Sequence, residues 1–187
     1  MIYINIYLLN LDNNNDNIFS DFFAKNEDIE YIKNKLDGGI YIDKWESPII
    51  DVDTKKPLMD IIRFWGYCNT LAINKKTKTI LEKNFNNLQF LPIKLNNYDN
   101  NEYFIVNIIG YVNGLDTINS QVRKIDNKYI IDIYKYVFNT NVQKYDIFKL
   151  KINNKIRTTD IFVNDKFKNI IEQNQLTGLT FKKVFEF

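Results

Sequence analysis

From Leu88 onward the sequence is a succession of short apolar runs separated by Asn, Asp, Lys and Gly. Short runs rich in Ile, Val, Phe and Tyr, bounded by turn-forming residues, are typical of β-strands. Pro92 interrupts the first of these runs, which favours a sheet edge or a bulge because proline cannot donate a ladder hydrogen bond. The predicted strands are Phe90 to Lys94, Tyr103 to Val112, Tyr129 to Phe138, Ile147 to Ile152, Ile156 to Val163 and a last strand after Gly178.

The first part of the chain mixes strand and helix patterns. Residues 1–9 are apolar on both alternating faces and predict a buried strand rather than a signal peptide, because no basic segment precedes them. Ile40 to Trp45 predicts a short strand. Four helices are expected, and each has a capping or starting residue. The capping or starting residues are Asn26, Pro57, Asn74 and Asn164. The residues expected to face inward are Ile29, Ile32 and Leu36 after Asn26; Leu58, Ile61 and Ile62 after Pro57; and Phe167, Ile170 and Ile171 after Asn164. The helix after Asn74 is expected over residues 75–83.

These patterns predict an α+β fold, a mostly antiparallel sheet with a few short helices packed on it. Phe90, Phe104 and Phe181 are expected in the core. Phe104, Val106, Ile108 and Val112 are expected to share one face of their strand, and Leu179, Phe181, Phe185 and Phe187 one face of the last. Gly178 should have a positive φ where the last helix passes into that strand. We find no internal repeat and no linker, so residues 1–187 are expected to form a single domain.

The amino-acid composition bears on the size of the core and on the cellular compartment. The chain is 45% apolar and 15% aromatic, which is enough for a sizeable core. Its one cysteine, Cys68, leaves no internal disulfide and fits a reducing cytoplasm. No apolar run approaches the ~20 residues that span a bilayer, so no membrane partner is expected.

The charge distribution argues against nucleic acid as the partner. The net charge is +2, but residues 1–60 carry 12 acidic residues against 6 lysines, while residues 61–187 carry 19 basic residues against 11 acidic ones. The whole chain has only three arginines, Arg63, Arg123 and Arg157. Because proteins that read nucleic acid rely on the bidentate guanidinium, the basic half is interpreted as a solvated lysine surface.

The residues that most enzymes use are missing. There is no histidine, which excludes Ser/His and Cys/His nucleophile pairs and histidine metal sites, and no Gly-rich phosphate-binding motif occurs. The chain is therefore not expected to be an enzyme or to hold a cofactor or metal. One alternative stays open, a Mg²⁺-dependent nuclease that uses Asp43, Asp51 and Asp53, near Lys55. Acids and lysines also collect in ordinary solvated turns, which is the simpler interpretation.

Several segments, in order, resemble a known family. They are LDGGIYIDKW from Leu36 to Trp45, Asp60-Ile-Ile, Leu71-Ala-Ile-Asn74, Phe90-Leu-Pro-Ile-Lys, Tyr103-Phe-Ile-Val-Asn-Ile-Ile, Gly114-Leu-Asp116 with Ser120, Phe148-Lys-Leu, Ile161 to Ile171, and Gly178-Leu-Thr-Phe181. Together they are similar to the bacterial polymorphic-toxin immunity family called immunity-eleven, over about residues 36–187, while residues 1–35 match poorly. Asn74 stands where a serine is expected, and both cap helices well. The resemblance implies a protein that neutralises a co-produced toxin by direct binding.

The motifs of this resemblance are typical of fold determinants, so they do not locate the partner-binding surface. The acidic excess of residues 1–60 favours Asp43, Trp45, Asp51 and Asp53, with three carboxylates to steer a basic partner and one aromatic side chain as an anchor. One alternative for this surface remains, in which the acids are simply solvated and Trp45 lies in the core. One further alternative for the function also remains, a non-enzymatic adaptor domain.

Overall fold

The computed structural model describes residues 4–11, 22–23, 26–36, 38–52, 58–65, 70–96 and 102–187. Fourteen strands and three helices follow one another along them. The strands are β1 Asn5–Leu11, β2 Phe22–Phe23, β3 Ile49–Val52, β4 Ile61–Trp65, β5 Leu71–Asn74, β6 Leu88–Leu95, β7 Tyr103–Ile108, β8 Tyr111–Val112, β9 Gln121–Ile125, β10 Tyr129–Lys135, β11 Ile147–Ile152, β12 Lys155–Ile156, β13 Phe162–Asn164 and β14 Leu179–Glu186. The helices are α1 Asn26–Lys35, α2 Lys75–Asn84 and α3 Asp165–Gln173.

The strands form a barrel, a sheet and a hairpin. The closed barrel runs β2-β3-β6-β7-β5-β4, and the sheet runs β12-β11-β13-β1-β14 with β8 joined to β11. Strands β9 and β10 form the hairpin. Among the described strands only the pairs β2–β4, β3–β6 and β8–β11 are parallel. The predicted α+β class with a mostly antiparallel sheet is therefore confirmed.

One hydrophobic cluster joins the barrel to the sheet. We call it the shared cluster; strand β1 contributes Leu9 and Leu11 to it. On the other face of the sheet, Ile6 of β1 enters a second cluster. Strand β1 is therefore buried on both faces, as predicted. The shared cluster draws on both sheets and two helices, with members that include Leu9, Ile73, Leu81, Val106, Val163 and Phe167. A third cluster, around Ile62, Leu91 and Ile105, fills the inside of the barrel. Ile32 of helix α1 and Leu36, the residue directly after this helix, belong to it as well.

The helix caps follow the predicted chemistry. The Asn74 side chain accepts a hydrogen bond from the Thr77 amide at 2.9 Å, and the Asn164 side chain accepts one from the Phe167 amide at 3.1 Å. Each bond satisfies an amide that has no partner inside its helix. Helices α2 and α3 therefore begin directly after strands β5 and β13, as expected.

The predicted helix after Pro57 is wrong, because residues 61–65 form strand β4. Ile61 and Ile62 lie in different clusters, one on each face of the strand, so this adjacent pair marks a strand buried on both sides. Pro57 itself is outside the described residues. The predicted strand from Ile40 to Trp45 is also wrong. A 3-10 turn spans Ile42–Lys44, and the Tyr41 amide donates to the Gln89 side chain at 3.1 Å instead of to a neighbouring strand.

Several predicted strands have different limits or faces. The run from Tyr129 to Phe138 ends as a strand at Lys135. The run from Tyr103 to Val112 divides into β7 and β8. Val112 enters the second cluster, whereas Val106 and Ile108 enter the shared cluster. The run from Ile156 to Val163 divides into β12 and β13. A bulge in β14 opposite Ile6 and Tyr7 moves Phe185 and Phe187 to the face opposite Phe181, since one extra residue inverts the alternation.

The three expected core phenylalanines differ in burial. Phe90 is buried, whereas Phe104 and Phe181 are only partly buried and pack against the edge of the shared cluster. Phe148, Phe162 and Phe167 are the largest fully buried side chains in the described part of the chain. Phe104 and Phe181 therefore contribute less to the core than the sequence pattern predicts.

Pro92 lies where the barrel leaves one side of β6 unpaired. Strand β7 pairs with β6 along its length, but β3 joins the other side only at Lys94 and Leu95. The Pro92 carbonyl instead accepts a hydrogen bond from the indole Nε1 of Trp45 at 2.7 Å. A residue without an amide hydrogen is tolerated at this local edge, as its position in the sequence predicted.

A compact junction fastens the sheet to the barrel where β14 begins. The Ile61 amide donates to the Thr177 carbonyl at 3.0 Å, and the Asp60 carboxylate accepts bonds from the Thr177 amide at 3.0 Å and the Asn74 side chain at 2.9 Å. Gly178 lies against this contact with φ +107°, which confirms the predicted positive φ. We call Asp60, Ile61, Asn74, Thr177 and Gly178 the junction.

The Gly178→Ala variant should be strongly destabilised. A Cβ at this position would lie 1.8 Å from the Ile61 carbonyl oxygen, and the backbone is in a region that L-residues rarely adopt. Strain and overpacking together should lower the free energy of unfolding by at least about 2 kcal/mol. Urea denaturation measures this. The control is Gly110→Ala, where the nearest atom is the Asn87 side-chain nitrogen at 3.1 Å. Equal stability losses in the two variants would contradict the packing argument.

Asp60 should make stability depend on pH. Partial burial favours the neutral acid, but hydrogen bonds from Thr177 and Asn74, with Lys76 nearby, outweigh burial and lower the pKa of Asp60. A lowered pKa in the folded state stabilises the fold above the ordinary aspartate pKa of about 4, and this contribution is lost as the pH falls through the folded value.

We therefore expect Asp60→Asn to be less stable than the parent at neutral pH, with the difference shrinking in acid. The measurement is the urea midpoint of both proteins as the pH is lowered from neutrality. Asp43→Asn, which removes the same charge from an exposed turn, serves as the control. A stability difference that stays constant with pH would show that the Asp60 charge does not act at the junction.

Candidate partner-binding surface

An acidic groove opens where the start of α1 meets the loop before β3 and the end of β6. Its volume is about 480 Å³. The residues that line it are Glu27, Asp28, Tyr31, Glu46, Ser47, Pro48, Ile49, Asp51 and Asn96. We call this surface the acidic groove.

The groove is held in shape by hydrogen bonds between its three walls. The Tyr31 hydroxyl accepts a bond from the Glu46 amide at 2.7 Å and donates to the Lys44 carbonyl at 3.3 Å, which ties α1 to the loop before β3. The Asn96 amide donates to the Ile50 carbonyl at 2.8 Å, and the Asn96 side chain donates to the Asp51 carboxylate at 2.8 Å. The walls are therefore positioned before any partner arrives.

The charged side chains that line the groove in the described chain are all negative. Four carboxylates line it, Glu27, Asp28, Glu46 and Asp51, and no Lys or Arg side chain is among the described residues that do so. Glu27 and Asp28 lie in the first turn of α1, where acids also complement the helix dipole. Ile49 adds an apolar contact, because 57% of its surface is exposed. Negative charge around an exposed apolar side chain suits a basic protein partner.

The four residues predicted from the sequence occupy different settings. Asp51 lines the groove, whereas Asp43 is exposed on the neighbouring 3-10 turn and does not line it. Asp53 is outside the described residues. Trp45 is half-buried, packs against the cluster inside the barrel and lies 5.2 Å from the Tyr31 ring, centroid to centroid. With its Nε1 bonded to Pro92, Trp45 serves the packing behind the groove.

Of the residues that line the groove, the sequence analysis named only Asp51. The acidic and exposed apolar residues that it missed are Glu27, Asp28, Glu46 and Ile49. Glu27 and Asp28 could not be assigned to this surface, since nothing local shows that α1 packs beside the segment before β3. The only signal available was the overall acidic excess of residues 1–60. That excess indicates the sign of the surface but not which acids come together.

The acids do not assemble into a metal site within the described part of the chain. There, no three His, Cys, Asp or Glu side chains come close enough together to hold a metal ion. The Asp51 carboxylate accepts a hydrogen bond from the Asn96 side chain, and Asp43 lies on a separate turn. The helices described by the structure are also too short or too polar to cross a bilayer.

Comparison with known proteins gives the family. The model of a family described as Immunity protein family (Imm11) matches residues 13–186, nearly the whole chain. The chain belongs to this immunity protein family. The search of curated proteins found no match.

The family match also covers the part of the chain that forms the acidic groove. It begins at residue 13, so residues 13–35 are part of the family region, contrary to the expectation that residues 1–35 match poorly. The acidic groove, which uses residues 27–51 and Asn96, therefore lies inside the matched region. Its location is argued from the observed geometry.

Replacing Trp45 with Phe tests whether the indole acts in the structure. Trp45→Phe keeps an aromatic ring but leaves the Pro92 carbonyl without its donor, which should lower the free energy of unfolding by about 1–2 kcal/mol. The control, Tyr31→Phe, removes a hydroxyl whose hydrogen bonds are exposed to solvent, and it should lose less. Thermal or urea denaturation measures both. An unchanged stability for Trp45→Phe would mean that the indole bond to Pro92 does not support the barrel.

Proposed function

We propose that this protein neutralises a cognate toxin domain in the cytoplasm by direct protein–protein binding. Membership of the immunity protein family supports a role in toxin immunity. The lack of histidine in the chain supports an action that depends on binding and not on catalysis. An adaptor domain would also bind without catalysis, and inhibition of the toxin on binding separates the two functions.

The observation that carries the proposal is the acidic groove. A toxin domain that acts on nucleic acid needs a basic surface to hold phosphates. A groove with four carboxylates and no basic lining residue in the described chain is complementary to such a surface. Binding there would cover the basic cleft, while long-range attraction would speed the encounter of the two proteins.

The interaction is expected to combine charge with apolar contact. Exposed ion pairs add little affinity by themselves because water and salt screen them. Ile49 is exposed and lines the groove together with the carboxylates, so it supplies apolar area that a partner can cover. We propose that the carboxylates set the association rate and the orientation, and that apolar burial around Ile49 slows dissociation. Asp43 and Asp53 are proposed to extend the same negative field beyond the groove.

Charge reversal tests the proposed surface. The double variant Glu46→Lys/Asp51→Lys should associate with the purified cognate toxin about tenfold more slowly at low salt, because electrostatic steering changes association rates by that order or more. The difference should shrink toward physiological ionic strength, where the screening length is about 8 Å. Stopped-flow or surface plasmon resonance measurements over a salt series give these rates.

A matched control separates location from net charge. Glu82→Lys/Glu102→Lys makes the same change in net charge at exposed residues that do not line the groove. This control should bind at nearly the parent rate. If the groove variant keeps the parent rate at every ionic strength, or if the control slows equally, the toxin binds elsewhere.

A further inference from the structure

A second cavity lies on the other part of the molecule, between the β9–β10 hairpin and the turn that joins β11 to β12. Its volume is about 380 Å³. The residues that line it are Asn113, Leu115, Thr117, Lys124, Lys128, Ile130, Lys151, Ile152, Asn153 and Asn154. We call it the lysine pocket.

The charged side chains that line the lysine pocket are all positive within the described chain. Lys124, Lys128 and Lys151 line it, no carboxylate does, and within the described chain none of the three lysines forms an ion pair. Two of the ammonium groups lie against aromatic rings: Lys128 is 5.1 Å from the Tyr129 ring centroid, and Lys151 is 5.7 Å from that of Tyr111. Such contacts restrict a lysine without neutralising it.

The pocket is formed in advance by the turn at Asn153. Asn153 and Asn154 both have positive φ, at 52° and 61°, as a two-residue hairpin turn requires. The Asn153 side chain accepts a bond from the Ile130 amide at 3.3 Å and donates to the Ile130 carbonyl at 2.9 Å. These two bonds fix the hairpin over the turn. They hold Ile130 in the lining, to which Leu115 and Ile152 also belong.

We propose that the lysine pocket binds a small organic phosphate. A phosphoryl group carries a charge of about −1.5 to −2 at neutral pH, which matches several lysines acting as compact cationic donors. Asn113, Thr117 and Asn154 add neutral hydrogen-bonding groups beside them. The volume is within the range of small-molecule sites, and the aliphatic residues give the non-phosphate part of the ligand an apolar contact. This inference is independent of toxin binding, because it concerns a different surface.

The test uses adenosine monophosphate as the probe, with inorganic phosphate and adenosine as its two halves. Isothermal titration calorimetry at low salt should show tighter binding of adenosine monophosphate than of either half. Amide chemical shifts in the NMR spectrum should change around Ile130, Asn153 and Asn154. The variant Lys124→Gln/Lys128→Gln/Lys151→Gln should lower the association constant by about tenfold or more, since each exposed ionic contact contributes modestly.

The control is Lys135→Gln/Lys144→Gln/Lys182→Gln, which removes the same charge from exposed lysines outside the pocket. It should bind the nucleotide nearly as the parent does. All six lysines lie at least partly in solvent, so both variants are expected to fold, and circular dichroism checks this. The proposal is overturned if the nucleotide does not bind or if the two variants lose affinity equally. Equal affinity for inorganic phosphate would overturn the organic part of the assignment.

Discussion

Gly178 packs directly against the Ile61 carbonyl, at the point where the start of β14 is hydrogen-bonded to the barrel. A bare Cα is required there, because any side chain would occupy the space of the carbonyl oxygen. Around this contact, the Asp60 carboxylate accepts hydrogen bonds from Thr177 and Asn74. Since Asp60 directly precedes β4, this one carboxylate connects the barrel to the start of β14 and to the cap of α2. The shared hydrophobic cluster then fills the space that the junction defines.

The junction also explains what the family resemblance represents. Asp60, Asn74 and Gly178 belong to three separate motifs of that resemblance, and the structure brings them together at one point. These residues support the fold and are not part of the acidic groove. Their role as fold determinants agrees with a division in which the family motifs build the scaffold and a separate surface meets the partner. The groove sits on the barrel, on walls that α1 and the loop before β3 provide.

Local chemistry in the sequence was sufficient for features that depend on local geometry. The caps at Asn74 and Asn164, the positive φ of Gly178 and the edge position of Pro92 each follow from what one residue can or cannot do. Features that depend on distant partners were not predictable. Ile61 and Ile62 suit a helix face as well as a strand buried on both sides, and only the barrel decides between them. The bulge that inverts Phe185 is set by its pairing with β1. The groove was anticipated only at Asp51 for the same reason, since its other acids become neighbours through the packing of α1.

We propose that the scaffold and the binding surface are separate, with the toxin on the acidic groove. Amide hydrogen exchange of the protein, alone and in complex with its cognate toxin, tests this most directly. Binding at the groove should slow exchange in residues 26–31 and 46–51, while residues 60–62 and 176–179 at the junction should exchange as they do in the free protein. Slowed exchange confined to the junction or to the β9–β10 hairpin, with the groove unchanged, would contradict it.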